Sequence, residues 1–326
     1  MRMTLSPPKL AMAIASGLVW TTCTFAQTYP VKPIRLIVTS PAGSVSDIRA
    51  RWVSERLTMA LGRSIVVDNR GGAGGNIGAE AAAKSPKDGY TLVIIHQGTA
   101  ALNPHMYAHP GYDPIVDFAP ITRFVVSPLL LAVHPATPAK TVGELIEMVK
   151  KKPGQYYYGS PGSGTPPHMA AELFKRMARI DATHVPYKGG AAALLDLMGG
   201  RLTYTFDSLA LQLPHVKTGK IRALAMTGTK RVSSLPDVPT VAESGLPQYE
   251  YLSWMGLAAP AGTPRDIVTQ LNAVVVKILK TPEARDWFVE QGGEPVGDTP
   301  EEFAAFIKYE YARWGPIIRE AGIRAD

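Results

Sequence analysis

Apolar residues along the chain follow two patterns that alternate. Short runs of branched apolar residues, such as residues 34–38, are typical of buried strands, and longer stretches with an apolar residue every three or four positions, such as residues 48–61, are typical of helices. Further strands are predicted at residues 64–69, 90–97, 128–135, 155–160, 183–187, 202–208, 221–228 and 254–260, and further helices at residues 77–83, 141–152, 167–180, 190–198, 265–280 and 300–320. This alternation predicts right-handed βαβ units, a largely parallel sheet and an α/β fold.

Two of the predicted strands resemble each other. Residues 128–135 and 254–260 are each apolar, end in a proline and are followed by a helix. We interpret them as strands that cross between two lobes, the first outward and the second returning. This interpretation predicts a discontinuous first lobe at residues 27–127 plus 254–326, with the C-terminal helices packed back on it. It also predicts a continuous second lobe at residues 128–253 and a hinged cleft between the lobes.

Two loops that follow predicted strands have matching chemistry. The first loop, residues 40–47, and the second loop, residues 160–165, are rich in serine, glycine and proline, and each leads into a helix. A strand, a tight loop and a helix start direct unpaired backbone N–H groups and the positive helix end into one place. Either loop alone reads equally well as an ordinary βα turn, but the pair predicts a pocket for a ligand with negative charge at one or both ends. Gly98 and Thr99 are further predicted contacts, because α/β sheets place ligands at the carboxyl ends of their strands.

Polar side chains near these loops are candidate ligand contacts. Asp207 ends a predicted strand at the cleft and could accept a hydrogen bond from a ligand amine or hydroxyl. Asp47 could do the same, although capping of its own helix is the favoured role. For His168, ligand contact and hydrogen bonding within its own loop are equally open. The tyrosines at residues 156–158 could offer an aromatic wall, with at least one of them in the core.

The sequence identifies no activated nucleophile and no metal site. Neither the G-x-S-x-G elbow nor the H-E-x-x-H and EF-hand motifs occur. A hydrolase built from Ser160, His168 and Asp207 stays open as an alternative. The glycine-rich residues 70–78 lack the lysine of a phosphate loop and predict a close-packed turn, so no cofactor is expected. Residues 103–113 predict an ordered loop, and its prolines argue against a histidine metal site on a helix.

The N-terminal residues predict an export signal. A weakly basic start, a short apolar run and a small residue at Ala26 match a secretory leader at residues 1–26, cleaved near Ala26. Cys23, the single cysteine, lies inside the leader, so the mature chain has no thiol and no disulfide. Loss of Arg2 and Lys9 lowers the formal net charge from +7 to +5. No basic run is present, so nucleic acid is not an expected partner.

Six segments spread over the mature chain resemble one family, the periplasmic solute receptors of tripartite tricarboxylate transporters, often called Bug-type receptors. They are YPVKPIRLIV at residues 29–38, DNRGGAGGNIG at 68–78, DGYTL at 88–92, HVPYKG at 184–189, PDVPT at 236–240 and APAGTP at 259–264. The resemblance implies a two-lobed, type II-like periplasmic binding protein that closes on its ligand like a flytrap. It also implies a non-enzymatic, monomeric receptor that passes a small carboxylate to integral membrane transporter subunits.

In that family the two loops grip a carboxylate, largely through backbone N–H groups and ordered waters. The residues and the resemblance together give the predicted ligand contacts, which are Ser40, Ala42, Gly43, Ser44, Ser46, Asp47, Gly98, Thr99, Ser160, Gly162, Ser163, Gly164, Thr165, His168, Tyr187 and Asp207. This chain departs from the family at Gly43 and Ser44, where paired glycines are usual, followed here by Val45. Dicarboxylates, citrate-like acids and aromatic carboxylates therefore all stay open as ligands.

Two other classes of protein use a similar α/β frame. A periplasmic hydrolase or isomerase would convert its ligand, whereas a receptor returns it unchanged. The effector lobe of a transcription regulator is disfavoured, because an export leader precedes the first strand and no helix-turn-helix does.

Overall fold

The computed structural model describes residue 1 and residues 29–325. Apart from Met1, the predicted leader, with Cys23 and the cleavage position near Ala26, lies outside the described residues. The strands are β1 Ile34–Val38, β2 Ile65–Asn69, β3 Thr91–His96, β4 Phe118–Val133, β5 Tyr157–Ser160, β6 Thr183–Pro186, β7 Tyr204–Ser208, β8 Arg222–Met226, β9 Leu252–Pro260 and β10 Glu294–Pro295. The helices are α1 Val45–Leu61, α2 Asn76–Ala83, α3 Asn103–Met106, α4 Val142–Lys151, α5 Pro166–Ala178, α6 Gly190–Met198, α7 Leu209–Lys217, α8 Arg265–Leu279, α9 Pro282–Glu290 and α10 Pro300–Glu320.

The α/β fold predicted from the alternating pattern is confirmed. The main path through the sheet of the described residues runs β2-β1-β3-β9-β4-β7-β5-β6, and β8 and β10 also pair with β4. Pairing is parallel among β1, β2 and β3 and among β5, β6 and β7. It is antiparallel wherever β4 and β9 take part. The sheet is therefore parallel towards both ends and antiparallel in the middle.

Strand β4 belongs to both halves of the sheet. Its first part, as far as Pro128, pairs with β9, and its last part, from Leu129, pairs with β7 and β8. We call the elements on the first part the first lobe and those on the last part the second lobe. The residue boundaries at 27–127 plus 254–326 and at 128–253 stay predictions.

The sequence prediction placed the start of this strand ten residues too late. Pro120 and Pro128 both lie within β4, although proline cannot donate a ladder hydrogen bond. The structure accommodates them at irregular places: the register shifts after Pro120, and Pro128 lies where β4 changes partners.

The predicted loop at residues 103–113 is also partly wrong. The chain leaves β3 through a π-helical turn at Gly98–Leu102 and continues into the short helix α3. Pro104 lies in the first turn of α3, where its missing N–H has no intrahelical role. Helices α7 and α9 and the short strand β10 were not predicted individually.

Helix α10 packs against both lobes. Its first half contributes Phe303 and Ile307 to a cluster around Trp254 of β9. Its second half contributes Trp314 and Ile318 to the core of the second lobe. The expectation that the C-terminal helices pack on the first lobe is therefore correct for α8, for α9 and for the beginning of α10, but not for the second half of α10.

A buried carboxylate, Glu310, fixes the middle of α10. Its Oε2 accepts hydrogen bonds from Gln97 Nε2 at 2.9 Å, Trp314 Nε1 at 3.1 Å and Trp254 Nε1 at 3.2 Å. Tyr251 Oη in turn donates to Gln97 Oε1 at 2.6 Å. Glu310 Oε2 is thus the shared acceptor of three buried N–H donors. Since these donors follow β3, lie near the start of β9 and lie in α10, the bonds hold the three elements together.

Replacing Glu310 with alanine should lower the free energy of unfolding by about 3 kcal/mol or more, because three buried N–H donors would lose their acceptor. Urea unfolding followed by tryptophan fluorescence measures this change. The matched control is Glu301→Ala. Glu301 is an exposed residue of the same helix and pairs with Arg265 at the start of α8, so this substitution should change the free energy of unfolding little. Equal effects of the two substitutions would contradict the role assigned to Glu310.

Candidate functional site

The ends of the first-lobe strands lie beside the point where β4 leaves this lobe. Strands β1 and β3 are parallel, and β3 ends with His96 opposite Met255 of β9. At the same edge Leu252, the first residue of β9, lies opposite Pro128 of β4. The first loop and residues 96–99 therefore emerge next to this crossing point.

The ends of the second-lobe strands approach the crossing from the other side. Ser208, the last residue of β7, lies opposite Leu129 of β4. Strand β5 is parallel to β7 and to β6, with Ser160 opposite Pro186. The second loop and residues 187–190 therefore emerge at the edge of this lobe that faces the first lobe. The register alone places the two loops across one cleft, as open α/β sheets place their ligand sites at strand carboxyl ends.

Hydrogen bonds within the first loop fix the start of α1. The Ser44 side chain accepts a bond from Asp47 N at 3.2 Å. The Asp47 carboxylate accepts bonds from Gly43 N at 2.8 Å and Asn69 Nδ2 at 2.9 Å, and it also pairs with Arg51. Burial alone would raise the pKa of Asp47, but these bonds outweigh it and lower the pKa. The Asp47 carboxylate thus holds the helix start, which is the favoured sequence interpretation.

The first two amides of α1 have no protein partner. Among the described residues, no acceptor pairs with the backbone N–H groups of Val45 and Ser46. Gly43 adopts φ of 77°, which turns its own N–H towards Asp47 instead. The positive end of α1 therefore carries two free donors, a combination that favours an anion.

The second loop is closed by internal hydrogen bonds. The Ser160 hydroxyl donates to Gly162 O at 2.9 Å and accepts from Gly162 N at 3.2 Å. It also contacts His184 Nε2 at 2.7 Å. Gly164 N donates to His168 Nδ1 at 2.9 Å, which is the own-loop role left open by the sequence. Most of the polar atoms that were predicted to face a ligand therefore already have partners.

The start of α5 is a weaker donor than the sequence predicted. Its first two residues are Pro166 and Pro167, which carry no N–H group. Between residues 161 and 168, the amides of Ser163 and His168 have no acceptor among the described residues. The two loops are therefore unequal, and the first has the stronger claim to an anionic group.

Two stacked histidines support the second loop. The rings of His168 and His184 lie 3.9 Å apart, and Tyr158 stacks on His184 at 5.0 Å. Burial, together with the neighbouring His184 and Lys175, lowers the pKa of His168 to about 3, and burial lowers that of His184 to about 4. Both rings are neutral near pH 7, so His168 Nδ1 can accept the Gly164 bond. Tyr158 is fully buried and is the member of residues 156–158 in the core.

The hydrolase alternative with Ser160, His168 and Asp207 is not supported by the geometry. The Ser160 hydroxyl contacts His184 rather than His168. Phe206 packs against Phe174 of α5, and successive strand side chains alternate between faces. Asp207 therefore points away from the side of the sheet that carries α5 and His168. Sequence reasoning missed His184 because its pairing with the second loop arises only from the β5–β6 register.

Asp207 lies under the start of α6. Its Oδ1 accepts a bond from Ser208 N at 2.7 Å, and a Cβ added to Gly190 would lie 2.6 Å from its Oδ2. Burial raises the pKa of the Asp207 carboxyl to about 6, against the opposing effect of the Ser208 bonds. Tyr187, another predicted contact, donates its hydroxyl to Asp196 at 2.6 Å.

The remaining predicted contacts have mixed surroundings. Thr99 is fully buried, and its hydroxyl donates to His96 O at 3.1 Å. Thr165 Oγ1 donates to Gly162 O at 2.7 Å. Ser40 O accepts from Asn69 Nδ2 at 3.2 Å, which makes Asn69 a supporting residue that the sequence did not indicate. No group of three histidine, cysteine, aspartate or glutamate residues suited to a metal ion occurs in the described part of the chain.

Replacing Asp207 with asparagine should remove a pH-dependent loss of stability. The raised pKa means that the folded protein keeps a proton that the unfolded chain releases above pH 3.8. The contribution of Asp207 to the free energy of unfolding therefore falls as pH rises from 3.8 to about 6, by about 3 kcal/mol at most. In urea unfolding at pH 3.5 and pH 7, the free energy of unfolding of the variant relative to that of the wild type should be higher at pH 7. An equal difference at both pH values would contradict this.

Comparison with known proteins identifies the family and the fold. A model of the tripartite tricarboxylate transporter family receptor matches residues 49–323. A structure of Rpa4515 from R. palustris with adipate is 40% identical, covers 91% of this chain and 99% of its own, and has a TM-score of 0.80. The periplasmic binding protein BugD is 32% identical with a TM-score of 0.76, covering 91% of this chain and 99% of its own. MatC from Rhodopseudomonas palustris with bound malate is 30% identical with a TM-score of 0.76, covering 89% of this chain and 100% of its own. The predicted resemblance is thereby confirmed, and the chain belongs to the receptor family of tripartite tricarboxylate transporters.

Proposed function

We propose that this protein captures a small carboxylate in the cleft between its lobes and delivers it to a tripartite tricarboxylate-type transporter in the membrane. The observation that carries the proposal is the pair of free amides at Val45 and Ser46, at the start of the helix that follows the first loop. The adipate and malate bound to two family members support a carboxylate as the ligand class.

The grip needs no charged side chain. The aligned peptide dipoles at a helix start stabilise an anion bound to the amide donors there, and each hydrogen bond to a carboxylate is charge-assisted. The second loop adds the amides of Ser163 and His168 for the far end of the ligand or for a bridging water. In this proposal the predicted contacts beyond these four act through packing and loop shape.

The proposed location is the periplasm, with the leader removed near Ala26, as BugD in the same family is periplasmic. The membrane partner would be the integral subunits of the transporter. None of the described helices has the length and apolar character required to span a bilayer.

Substituting Val45 with proline tests the amide grip directly. Proline is tolerated at the first residue of a helix, and Ser44 before it is already extended, with φ of −71° and ψ of 162°. The substitution removes one donor, so the dissociation constant of any bound carboxylate should rise about tenfold or more. Calorimetric titration of ligand-stripped mature protein measures this.

The matched control is Arg265→Pro, at the first residue of α8. This variant should bind as the wild type does, because α8 starts away from the cleft. Unchanged affinity in Val45→Pro would contradict the amide grip. Recovery of a chemically altered acid after titration would instead favour the periplasmic hydrolase or isomerase.

A further inference from the structure

Arg49, in the second turn of α1, is a buried cation whose charge has no counterion among the described residues. Only 4% of its surface is accessible. Its Nη2 donates to Ser127 Oγ and to Gln291 O, both at 3.0 Å, and both acceptors are neutral. Its Nε is buried without an acceptor. An arginine in this state is unusual, because buried charges are ordinarily paired.

The acid nearest in sequence does not neutralise Arg49. Asp47 lies two residues earlier, and residues two apart do not face each other on a helix. The Asp47 carboxylate is already paired with Arg51 and accepts bonds from two further N–H donors. Burial lowers the pKa of Arg49 to about 10, and no neighbouring carboxylate offsets this effect. The folded chain therefore keeps a positive charge that its own described residues leave uncompensated.

Helix geometry places this charge behind the free amides of α1. Val45 and Arg49 are four residues apart on one face, with about 6 Å between them along the helix axis. Helical side chains tilt towards the N-terminus, so the Arg49 side chain lies over the turn that begins at Val45. Its acceptor Ser127 precedes Pro128, where β4 changes partners. The guanidinium therefore lies between the start of α1 and the crossing, on the order of 10 Å from an anion held by the two amides.

The charge of Arg49 and the dipole of α1 act in the same direction on a bound anion. Without an anion they oppose each other, because a cation near a helix N-terminus is repelled by the positive end of the dipole. Burial leaves the field of Arg49 less screened by water and salt than that of an exposed arginine. A unit charge at about 10 Å, with an effective dielectric constant of about 20, corresponds to roughly tenfold in the affinity for a carboxylate.

We propose that the ligand carboxylate is the counterion of Arg49, whose buried charge strengthens binding at the start of α1 without touching the ligand. The amides of Val45 and Ser46 make the contacts, and Arg49 adds the positive charge that residues 40–46 do not contain. This inference rests on the proposed function and deepens it. It assigns part of the affinity for an anion to a side chain outside the predicted ligand contacts.

The test compares three substitutions of Arg49 by calorimetric titration of ligand-stripped mature protein with adipate, malate, citrate and benzoate. Lysine keeps the charge, glutamine keeps N–H donors without the charge, and methionine keeps most of the length with neither. For each acid that the wild type binds, the dissociation constant should rise about tenfold in Arg49→Gln and in Arg49→Met. In Arg49→Lys it should rise about threefold or less, because the charge remains.

A purely structural role of Arg49 gives a different pattern. If Arg49 served only to donate to Ser127 and Gln291, the glutamine variant would resemble the lysine variant, and methionine alone would weaken binding. Urea unfolding of each variant without ligand shows that it is folded before titration. Either neutral variant, compared with Arg49→Lys, is sufficient for the test if the other does not fold.

The matched control is Arg222→Gln. Arg222 also donates to backbone oxygens, including those of Thr137 and Ala139, but it lies opposite Val133 at the end of β4 remote from the crossing. This variant should bind every acid as the wild type does. Wild-type affinity in Arg49→Gln, or the same loss in Arg49→Lys as in Arg49→Gln, would overturn the role of Arg49 and leave the receptor function standing. Absence of binding by the wild type across the panel would contradict the receptor function, and this inference with it.

Discussion

The continuity of β4 is the constraint on which the arrangement of this molecule depends. One strand pairs with β9 before Pro128 and with β7 and β8 after it. Because β4 is antiparallel to its neighbours in both lobes, the carboxyl ends of the parallel strands on either side are directed at the same crossing point. The strand directions therefore bring the strand ends of both lobes to the crossing, so short loops are long enough to reach it.

Charged side chains in this cleft serve mainly to hold the loops in place. Asp47 is neutralised by Arg51 and by amide donors, and Arg49 is used to join α1 to the crossing. In the proposed site, a ligand would meet the positive end of α1 and its unpaired amides. Recognition through fixed dipoles requires little reorganisation, since the donors are already oriented by the helix.

Local features of the fold could be read from the sequence. The first loop has a serine cap, a glycine with positive φ and an apolar periodicity after it, and each of these is a short-range signal. The full length of β4 could not be read, because Pro120 and Pro128 are acceptable only where the register is interrupted by partners far along the chain. The same reason applies to Glu310, whose donors come from β9, α10 and the turn after β3, and to the contact of Ser160 with His184. The two candidate loops were predicted from their composition, but the difference in their free amides depends on Pro166 and Pro167 at the start of α5 and on bonds within the second loop.

The stacked histidines beneath the second loop link its shape to acid tolerance. Both rings stay neutral in the folded protein far below the pH at which free histidine takes up a proton. As pH falls below 6.5, these two histidines bind protons in the unfolded chain but not in the folded one, so their contribution to the free energy of unfolding decreases. The loop itself keeps its Gly164 to His168 bond until the pH approaches the His168 pKa of about 3. In mild acid the two histidines therefore destabilise the folded protein, against the opposite contribution of Asp207, while the geometry of the second loop persists.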